Sequence, residues 1–117
     1  MLADALVDNQ SLTELFLTHN DLSQPSGIKF IKALQNKPAL KSLALNSCKL
    51  NQNLLAELAN ALQDNSESLK ELYLYSNQIG PLQSDYISKI IANKRKLSCL
   101  GLSNNQIGEE GCIILAE

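Results

Sequence analysis

Leucines recur along this chain on one fixed internal spacing. The pattern L-x-x-L-x-L-x-x-N/C-x-L/I occurs four times, and successive copies start 28, 29 and 28 residues apart. The copies begin at Leu12, Leu40, Leu69 and Leu97. Self-similarity at a constant period in this range is the signature of a solenoid, in which each repeat packs only against its neighbours. The hydrophobic pattern therefore predicts stacked repeats rather than one large globular core.

Each repeat is predicted to contain a strand followed by a helix, which makes the chain α/β. Leucines at the fourth and sixth repeat positions alternate with other residues, as in a short strand with one buried face. The predicted core pairs are Leu15 and Leu17, Leu43 and Leu45, Leu72 and Leu74, and Leu100 and Leu102. Beyond the strand the apolar spacing lengthens to about four residues, as on one helix face. The predicted helix faces are Leu22, Ser26, Phe30 and Leu34; Leu50, Leu54, Leu58 and Leu62; and Ile79, Gln83, Ile87 and Ile91.

The asparagine at the ninth repeat position is predicted to have a different role. Its side-chain amide can hydrogen-bond the backbone of the adjoining turn, and buried polar groups require such partners. Asn20, Asn77 and Asn105 are expected to form this ladder, and Cys48 fills the same position with a compact thiol.

The repeats are interpreted as a single array that covers residues 1–117. Residues 1–11 would be the end of a preceding repeat, because Leu2 and Leu6 fall where the last helix leucines of such a repeat should lie. Full repeats span 12–39, 40–68 and 69–96, and 97–117 would be truncated. Neither end shows a polar capping unit, although solenoids usually need one. A segment of a longer array is the favoured interpretation, with end-to-end packing between copies or unseen flanks as alternatives.

The repeats resemble leucine-rich repeats of the ribonuclease-inhibitor type. The resemblance rests on the period, on the tract Leu62-Gln63-Asp64-Asn65 leading to Leu69, and on the turn-like segment Asn105-Gln106-Ile107-Gly108-Glu109-Glu110-Gly111. It implies a right-handed β-α superhelix bent into a horseshoe, with a parallel sheet on the concave face and helices on the convex face. The family includes ribonuclease inhibitors, sensor regions of innate immune receptors, a GTPase activator and effector proteins of intracellular bacteria. Its members bind proteins, and the scaffold is not usually catalytic.

The chain departs from this family at two repeat positions. Ser26, Leu54 and Gln83 stand at the position that matches Gly111, so the loops there are expected to follow another path. Only one of the four repeats carries cysteine in place of the ladder asparagine.

Charge and apolar content narrow the class of partner. The net charge is −2, from ten lysines and arginines against twelve acidic residues, which argues against a general nucleic-acid binder. The basic tract Lys94-Arg95-Lys96 is interpreted as a solvated turn near a helix end. No apolar run is long enough to cross a membrane, and Asp4 stands where an export signal would carry positive charge. Neither nucleic acid nor membrane is therefore predicted as a partner.

The cysteines and the histidine predict neither a metal site nor catalysis. Cys48, Cys99 and Cys112 form no close pair, which favours reduced thiols, a cytoplasmic location and the absence of a zinc site. His19 is the only histidine, and three strand spacings separate it from Cys99, about 14 Å against the ~3 Å that nucleophile activation needs. We therefore predict that the chain is not an enzyme and holds no cofactor.

Side chains between the core leucines are predicted to line the concave face and to form a protein-binding site. Phe16, Tyr73 and Tyr75 are three of the chain's five aromatic residues, and all fall at outward positions. Phe16 and Tyr73 should flank a shallow notch over Ala44, and two glutamates should form a rim that favours a basic or polar partner. The predicted site residues are Glu14, Phe16, Thr18, Ala44, Asn46, Glu71, Tyr73 and Tyr75.

The leading functional hypothesis is a protein-interaction module whose rigid sheet presents a pre-ordered surface to a protein ligand. The alternatives are the targeting arm of a larger enzyme, such as a ubiquitin ligase or GTPase activator, an innate-immune sensor region, or a spacer within a longer solenoid. The asparagine- and lysine-rich, proline-poor sequence also resembles effector-type repeat proteins of intracellular bacteria. That resemblance would imply delivery into a host cell.

Overall fold

The repeats form alternating strands and helices. The computed structural model describes residues 2–35, 37–62, 68–92, 94, 96–102 and 105. In chain order the elements are α1 (Leu2–Val7), β1 (Glu14–Phe16), α2 (Pro25–Lys32), β2 (Ser42–Ala44), α3 (Gln52–Ala61), β3 (Glu71–Tyr73), a 3-10 turn (Pro81–Gln83), α4 (Ser84–Ile91) and β4 (Cys99–Gly101). Most of the fourth repeat, including the turn-like segment after Asn105, Gly111 and Cys112, lies outside the described residues.

The four strands form one parallel sheet in the order β1-β2-β3-β4. Their register pairs residues at the same repeat position, so that Glu14 lies beside Ser42, Ser42 beside Glu71, and Glu71 beside Cys99. The helices contact one another in the same order. The predicted α/β solenoid is thereby confirmed.

A leucine spine forms the core between the sheet and the helices. The core pairs of the second and third repeats are fully buried: Leu43, Leu45, Leu72 and Leu74 are each 0 % exposed. Leu15 and Leu17 of the first repeat are half-buried, because β1 has a strand on only one side within the described residues. The leucine positions are therefore buried as predicted, whereas in β2 the outward residues Ser42 and Ala44 are buried as well.

The helix faces of the first and third repeats differ from the prediction. In α2 the buried residues are Gly27 and Ile31, whereas Ser26 is exposed and Phe30 is half-buried. In α4 the buried residues are Ser84, Ile87 and Ile90, whereas Gln83 and Ile91 are half-buried. A strict four-residue spacing drifts around a helix of 3.6 residues per turn, so the buried stripe includes steps of three as well as four.

Two lysines of the helix-to-strand connections are buried. Lys37 is 1 % exposed, and its Nζ donates a hydrogen bond to the carbonyl oxygen of Val7, 3.2 Å away, at the end of α1. Burial lowers the pKa of Lys37, and the charge of Asp8 opposes that shift. Lys94 is 8 % exposed, so the predicted solvated turn is wrong for this residue, although Lys96 is exposed.

We expect Lys37→Ala to loosen α1 without unfolding the sheet. The substitution removes the cation that satisfies a carbonyl at the C-terminal end of this helix. Amide exchange of residues 2–11 should rise at least tenfold by hydrogen–deuterium exchange, with the rates of β2 and β3 unchanged. Lys41→Ala, at an exposed lysine, serves as the control. Unaltered protection of α1 in Lys37→Ala would contradict this role.

Candidate functional site

One face of the sheet presents the outward residues in two rows. Because the leucines between them are buried, these side chains point away from the core. The first row is Glu14, Ser42, Glu71 and Cys99, and the second is Phe16, Ala44, Tyr73 and Gly101. Thr18, Asn46 and Tyr75 follow the strands. The structure thus brings the eight residues singled out in the sequence onto this sheet face.

Strand β2 forms the floor of a narrow trough on the sheet face, between β1 and β3. Ser42 is 3 % exposed and Ala44 is 6 % exposed, whereas Phe16 on the neighbouring strand is 59 % exposed. Ala44, the predicted floor of a shallow notch between Phe16 and Tyr73, is buried beneath its neighbours. Neighbouring strands lie only ~4.8 Å apart, so large side chains on β1 and β3 overhang a small residue between them. We define the trough by six residues: Glu14, Phe16, Ser42, Ala44, Glu71 and Tyr73.

The two tyrosines of the sheet face are held by specific contacts. Their rings stack with centroids 6.0 Å apart and an interplanar angle of 27°. The Tyr73 hydroxyl donates a hydrogen bond to Oε2 of Glu71 at 2.9 Å. This bond raises the pKa of Tyr73 above its usual value, and a further contact with Cys99 acts in the same direction. The hydroxyl therefore stays protonated and keeps Glu71 in place.

Gly101 makes room for Tyr75, which follows the neighbouring strand β3. A Cβ atom at this glycine would lie 2.5 Å from Cζ of Tyr75, which is closer than such atoms come. The Tyr75 ring therefore leans over β4. Gly101 lies in the row expected from the sequence, but this role was not predicted for it. The signal was a glycine at an outward strand position two strands from Ala44.

Asn46 contributes to the architecture of the face as well as to its surface. Its Oδ1 accepts a hydrogen bond from the backbone N–H of Tyr75 at 2.7 Å, and its backbone carbonyl accepts one from the N–H of His19 at 2.9 Å. Thr18 is half-buried, and His19 is exposed in a turn with a φ of 66°. Asn46 thus fixes the backbone that carries Tyr75.

The asparagine ladder behind this face is confirmed, and it bridges successive repeats. Oδ1 of Asn77 accepts hydrogen bonds from the N–H groups of Cys48, at 2.9 Å, and Leu50, at 3.4 Å. Its Nδ2 donates to the carbonyl oxygens of Leu45, at 2.9 Å, and Tyr75, at 3.2 Å. The side chains of Asn77 and Asn105 therefore join their own turns to those of the preceding repeats, which holds the strands of the site in register.

Cys48 replaces asparagine in the ladder with fewer bonds. Its thiol donates to the carbonyl oxygen of Leu17 at 3.1 Å, and burial raises the pKa of this thiol. The sulfur is a weaker acceptor than an amide oxygen, although hydrogen bonds from the backbone of Asn20 and His19 in the preceding repeat oppose the effect of burial on this pKa. The N–H of Leu22 is instead bonded to the backbone carbonyl of Cys48, 3.0 Å away.

A polar cavity of about 420 Å³ lies along the strand-to-helix turns, outside the sheet face. Several of its polar lining groups are already engaged with the protein itself. Lys49 lies 3.5 Å from a carboxylate oxygen of Asp21, and Oδ1 of Asn51 accepts the N–H of Leu54 at the start of α3. Oε1 of Gln83 accepts the N–H of Gly80. This cavity was not predicted from the sequence.

No group of three histidine, cysteine or acidic side chains in the described part of the chain could hold a metal ion. No helix among the described residues is long and apolar enough to cross a membrane. Cys48 and Cys99, the two described cysteines, are both free thiols.

Comparison with known proteins identifies the repeats. A family model described as Leucine Rich repeat matches residues 8–30 and 93–116. The chain is 33 % identical over 105 residues to the Protein phosphatase 1 regulatory subunit 37 homolog of Caenorhabditis elegans, covering 90 % of this chain and 11 % of that protein. It is 34 % identical over 113 residues to NACHT, LRR and PYD domains-containing protein 13 of Homo sapiens, covering 95 % of this chain and 11 % of that protein.

These matches agree with the described fold. The chain spans 11 % of the length of each of these two relatives. Leucine-rich repeats are typically modules for protein interaction, and their extended sheet surfaces serve as binding faces. Because the matched repeats build a parallel sheet that alternates with helices, this chain is an α/β solenoid of leucine-rich repeats.

Proposed function

We propose that the sheet face, the concave one in the horseshoe that the resemblance implies, binds a protein ligand. The observation that carries the proposal is the exposed aromatic cluster, in which Phe16 is 59 % exposed and two stacked tyrosines stand two strands away. The residues proposed to contact the ligand are Glu14, Phe16, Thr18, Ala44, Asn46, Glu71, Tyr73 and Tyr75. Because Ala44 is buried, its part is to shape the floor.

The physical argument for binding is pre-organisation. Aromatic side chains supply large contact areas and are enriched among the residues that dominate binding energy. The Tyr73–Glu71 hydrogen bond and the packing of Tyr75 over Gly101 already fix two of these rings. Little side-chain entropy is then lost on association, which improves affinity.

The test compares aromatic substitutions on opposite faces of the solenoid. The 117-residue chain would capture its ligand from a cell lysate, and affinity for the purified ligand would be measured by calorimetry. Tyr73→Ala with Tyr75→Ala should weaken binding at least ~30-fold, the range expected for residues at the centre of an interface. Tyr86→Ala on α4 removes an aromatic residue from the helical layer and should leave affinity unchanged. Equal affinity of the double variant and the parent, with matching circular dichroism, would reject the site.

A second candidate makes the repeats one region of a larger protein. It is favoured because the chain corresponds to 11 % of a phosphatase regulatory subunit homologue and to 11 % of a NACHT-containing protein. The array would then be a targeting arm of a larger enzyme assembly or an innate-immune sensor region, as one segment of a longer solenoid. The full reading frame decides: a catalytic, regulatory or NACHT domain outside residues 1–117 would support it, and further repeats alone would not.

The source organism, the cellular compartment and the self-association of the chain are predictions. The relatives reported above are animal proteins, so they lend no support to a bacterial effector. A reducing, cytoplasmic setting is supported by the free thiols of Cys48 and Cys99. The ribonuclease-inhibitor type rests on the period and helix tracts. End-to-end self-association stays a prediction that light scattering on the purified chain would test.

A further inference from the structure

The edge of the sheet where the strands begin carries exposed lysines that the proposed binding site does not include. The residues directly before the four strands lie side by side, because backbone hydrogen bonds of 2.7 or 2.8 Å join each to the next: Thr13, Lys41, Lys70 and Ser98. All four are exposed. Lys96, two residues before Ser98, is exposed as well. We define the lysine edge as Lys41, Lys70 and Lys96.

The charges of the lysine edge are not neutralised by acidic groups of the described chain. Lys41 and Lys70 are direct neighbours on adjacent strands, one spacing of about 4.8 Å apart, and like charges opposite each other in a sheet are unfavourable. The ion pairs among the described residues involve Lys49 and Lys89 instead. Glu71, the acid that follows Lys70, accepts a tyrosine hydroxyl on the sheet face. An anion from outside the chain would therefore relieve the repulsion.

Positive charge continues in the connections that lead to this edge. Lys37 and Lys94 are buried, and each stands three residues before the first leucine of a repeat. Asp8 is the acidic side chain whose charge acts on Lys37. Because the field at a surface sums over many charged groups, the connections strengthen the attraction of the lysine edge for anions.

The lysine edge is continuous with the proposed binding face. Ser42 and Glu71 of the trough directly follow Lys41 and Lys70 in the chain. A ligand segment that covers the trough and extends past the start of the strands therefore crosses this edge. Such a segment meets charges of opposite sign in succession, because the row that contains Glu14 and Glu71 is acidic and the edge beside it is basic.

We propose that the lysine edge binds carboxylate side chains of an acidic segment in the protein ligand and so sets the direction in which the ligand crosses the sheet face. This assignment rests on the proposed function and adds the chemistry of the segment that flanks the site. A protein segment can place carboxylates at the edge and uncharged or basic residues over Glu14 and Glu71. A nucleic acid carries a charge at every phosphate, so it would meet repulsion from these glutamates and from a net charge of −2.

The test titrates two acetylated peptide amides, tetraglutamate and tetraglutamine, into the 117-residue chain at low ionic strength. The two peptides have the same length and nearly the same shape, and they differ in charge. Tetraglutamate should shift the amide NMR signals of residues 40–42, 69–71 and 96–98, with an apparent Kd at least ~10-fold lower than that of tetraglutamine. The difference should largely vanish in about 0.5 M sodium chloride, which screens exposed charges. Equal binding of the two peptides, or shifts confined to other residues, would overturn the inference.

Neutral substitutions separate the lysine edge from the overall charge of the chain. Lys41→Gln with Lys70→Gln removes the two adjacent charges, so the preference for tetraglutamate should disappear. Lys29→Gln with Lys49→Gln is the matched control, because it removes two exposed lysines from α2 and from the turn after β2 and changes the net charge equally. Equal loss of preference in the two double variants would overturn the assignment to this edge.

A thymidine oligonucleotide with four phosphates decides between a protein segment and a nucleic acid. It should bind the chain no more tightly than tetraglutamate does, and tighter binding at the same signals would overturn the proposal.

The captured protein ligand separates this inference from the proposed function. The variant with Lys41→Gln and Lys70→Gln should bind this ligand a few-fold more weakly at low ionic strength. An affinity that falls in the variant with Tyr73→Ala and Tyr75→Ala, but stays at the parent value in the lysine variant, would overturn the role of the lysine edge. The proposed function would then still stand.

Discussion

Asn77→Ala should lower the free energy of unfolding by about 3–5 kcal/mol, because it leaves several buried backbone groups without partners. The side chain makes four hydrogen bonds, two of them to N–H groups of the preceding repeat. Asn77 is 3 % exposed, so water does not replace these bonds readily. The loss is a large share of the ~5–15 kcal/mol by which domains are usually stable. Urea unfolding followed by circular dichroism measures it.

The control for Asn77 is the asparagine at the same position of the first repeat. Asn20 is exposed, and its Nδ2 donates to the carbonyl oxygens of Leu17 and Thr18 within its own turn. Asn20→Ala should therefore cost no more than about 1 kcal/mol. Equal losses in the two variants would show that the bonds to the preceding repeat add nothing, and the ladder would then be a set of independent turns.

The register of the sheet could be predicted from sequence because a fixed period leaves few alternatives. Once Leu15, Leu43, Leu72 and Leu100 share one repeat position, stacking them side by side determines which residues lie in each row. A shift of one residue would turn the buried leucines towards solvent. The positions of Phe16, Tyr73 and Tyr75 on the sheet face follow directly.

The details of the site could not be predicted because they depend on side-chain size and direction. Alternation places Ala44 on the outward face, but it does not show that larger neighbours bury it. Likewise, spacing puts Tyr75 and Gly101 in adjacent rows without indicating that the ring leans over the glycine. Which atoms Asn77 bonds also depends on the three-dimensional path of two turns, although the sequence indicated that the amide needs partners.

The buried face of α2 was predicted one residue too early, and Gly27 shows why. Matching Ser26 to the family glycine assumed that the turn before α2 has the same number of residues as the sequence of the fourth repeat suggests. In the structure the close approach falls one residue later, at Gly27, which is buried and whose N–H donates to the carbonyl oxygen of Gln24 at 2.8 Å. Gly27 is present in the sequence, but the fixed repeat spacing assigned this position to Ser26, one residue earlier.

Gly27→Ala should destabilise the chain by about 3 kcal/mol, although alanine is the better helix former. A Cβ atom at this position would lie 1.7 Å from the carbonyl oxygen of Leu22, so backbone must move. In an open helix the same substitution would stabilise by ~1 kcal/mol, whereas forcing atoms into a packed contact costs about 1–3 kcal/mol or more. The contact is with backbone rather than with a flexible side chain, so the unfavourable contribution dominates. Thermal and urea unfolding would measure the change.

Ser26→Ala is the matched control, because Ser26 is the preceding residue of α2 and is exposed. It should be neutral or stabilise slightly through helix propensity. If Gly27→Ala were as stable as Ser26→Ala, the backbone between Leu22 and α2 could not be as close as described. That result would remove the physical reason for the shifted helix phase. The first repeat also carries Phe16, at the edge of the described sheet. Displacement of α2 in Gly27→Ala should therefore reduce ligand binding as well as stability. This loss of binding distinguishes strain in the first repeat from a uniform loss of stability.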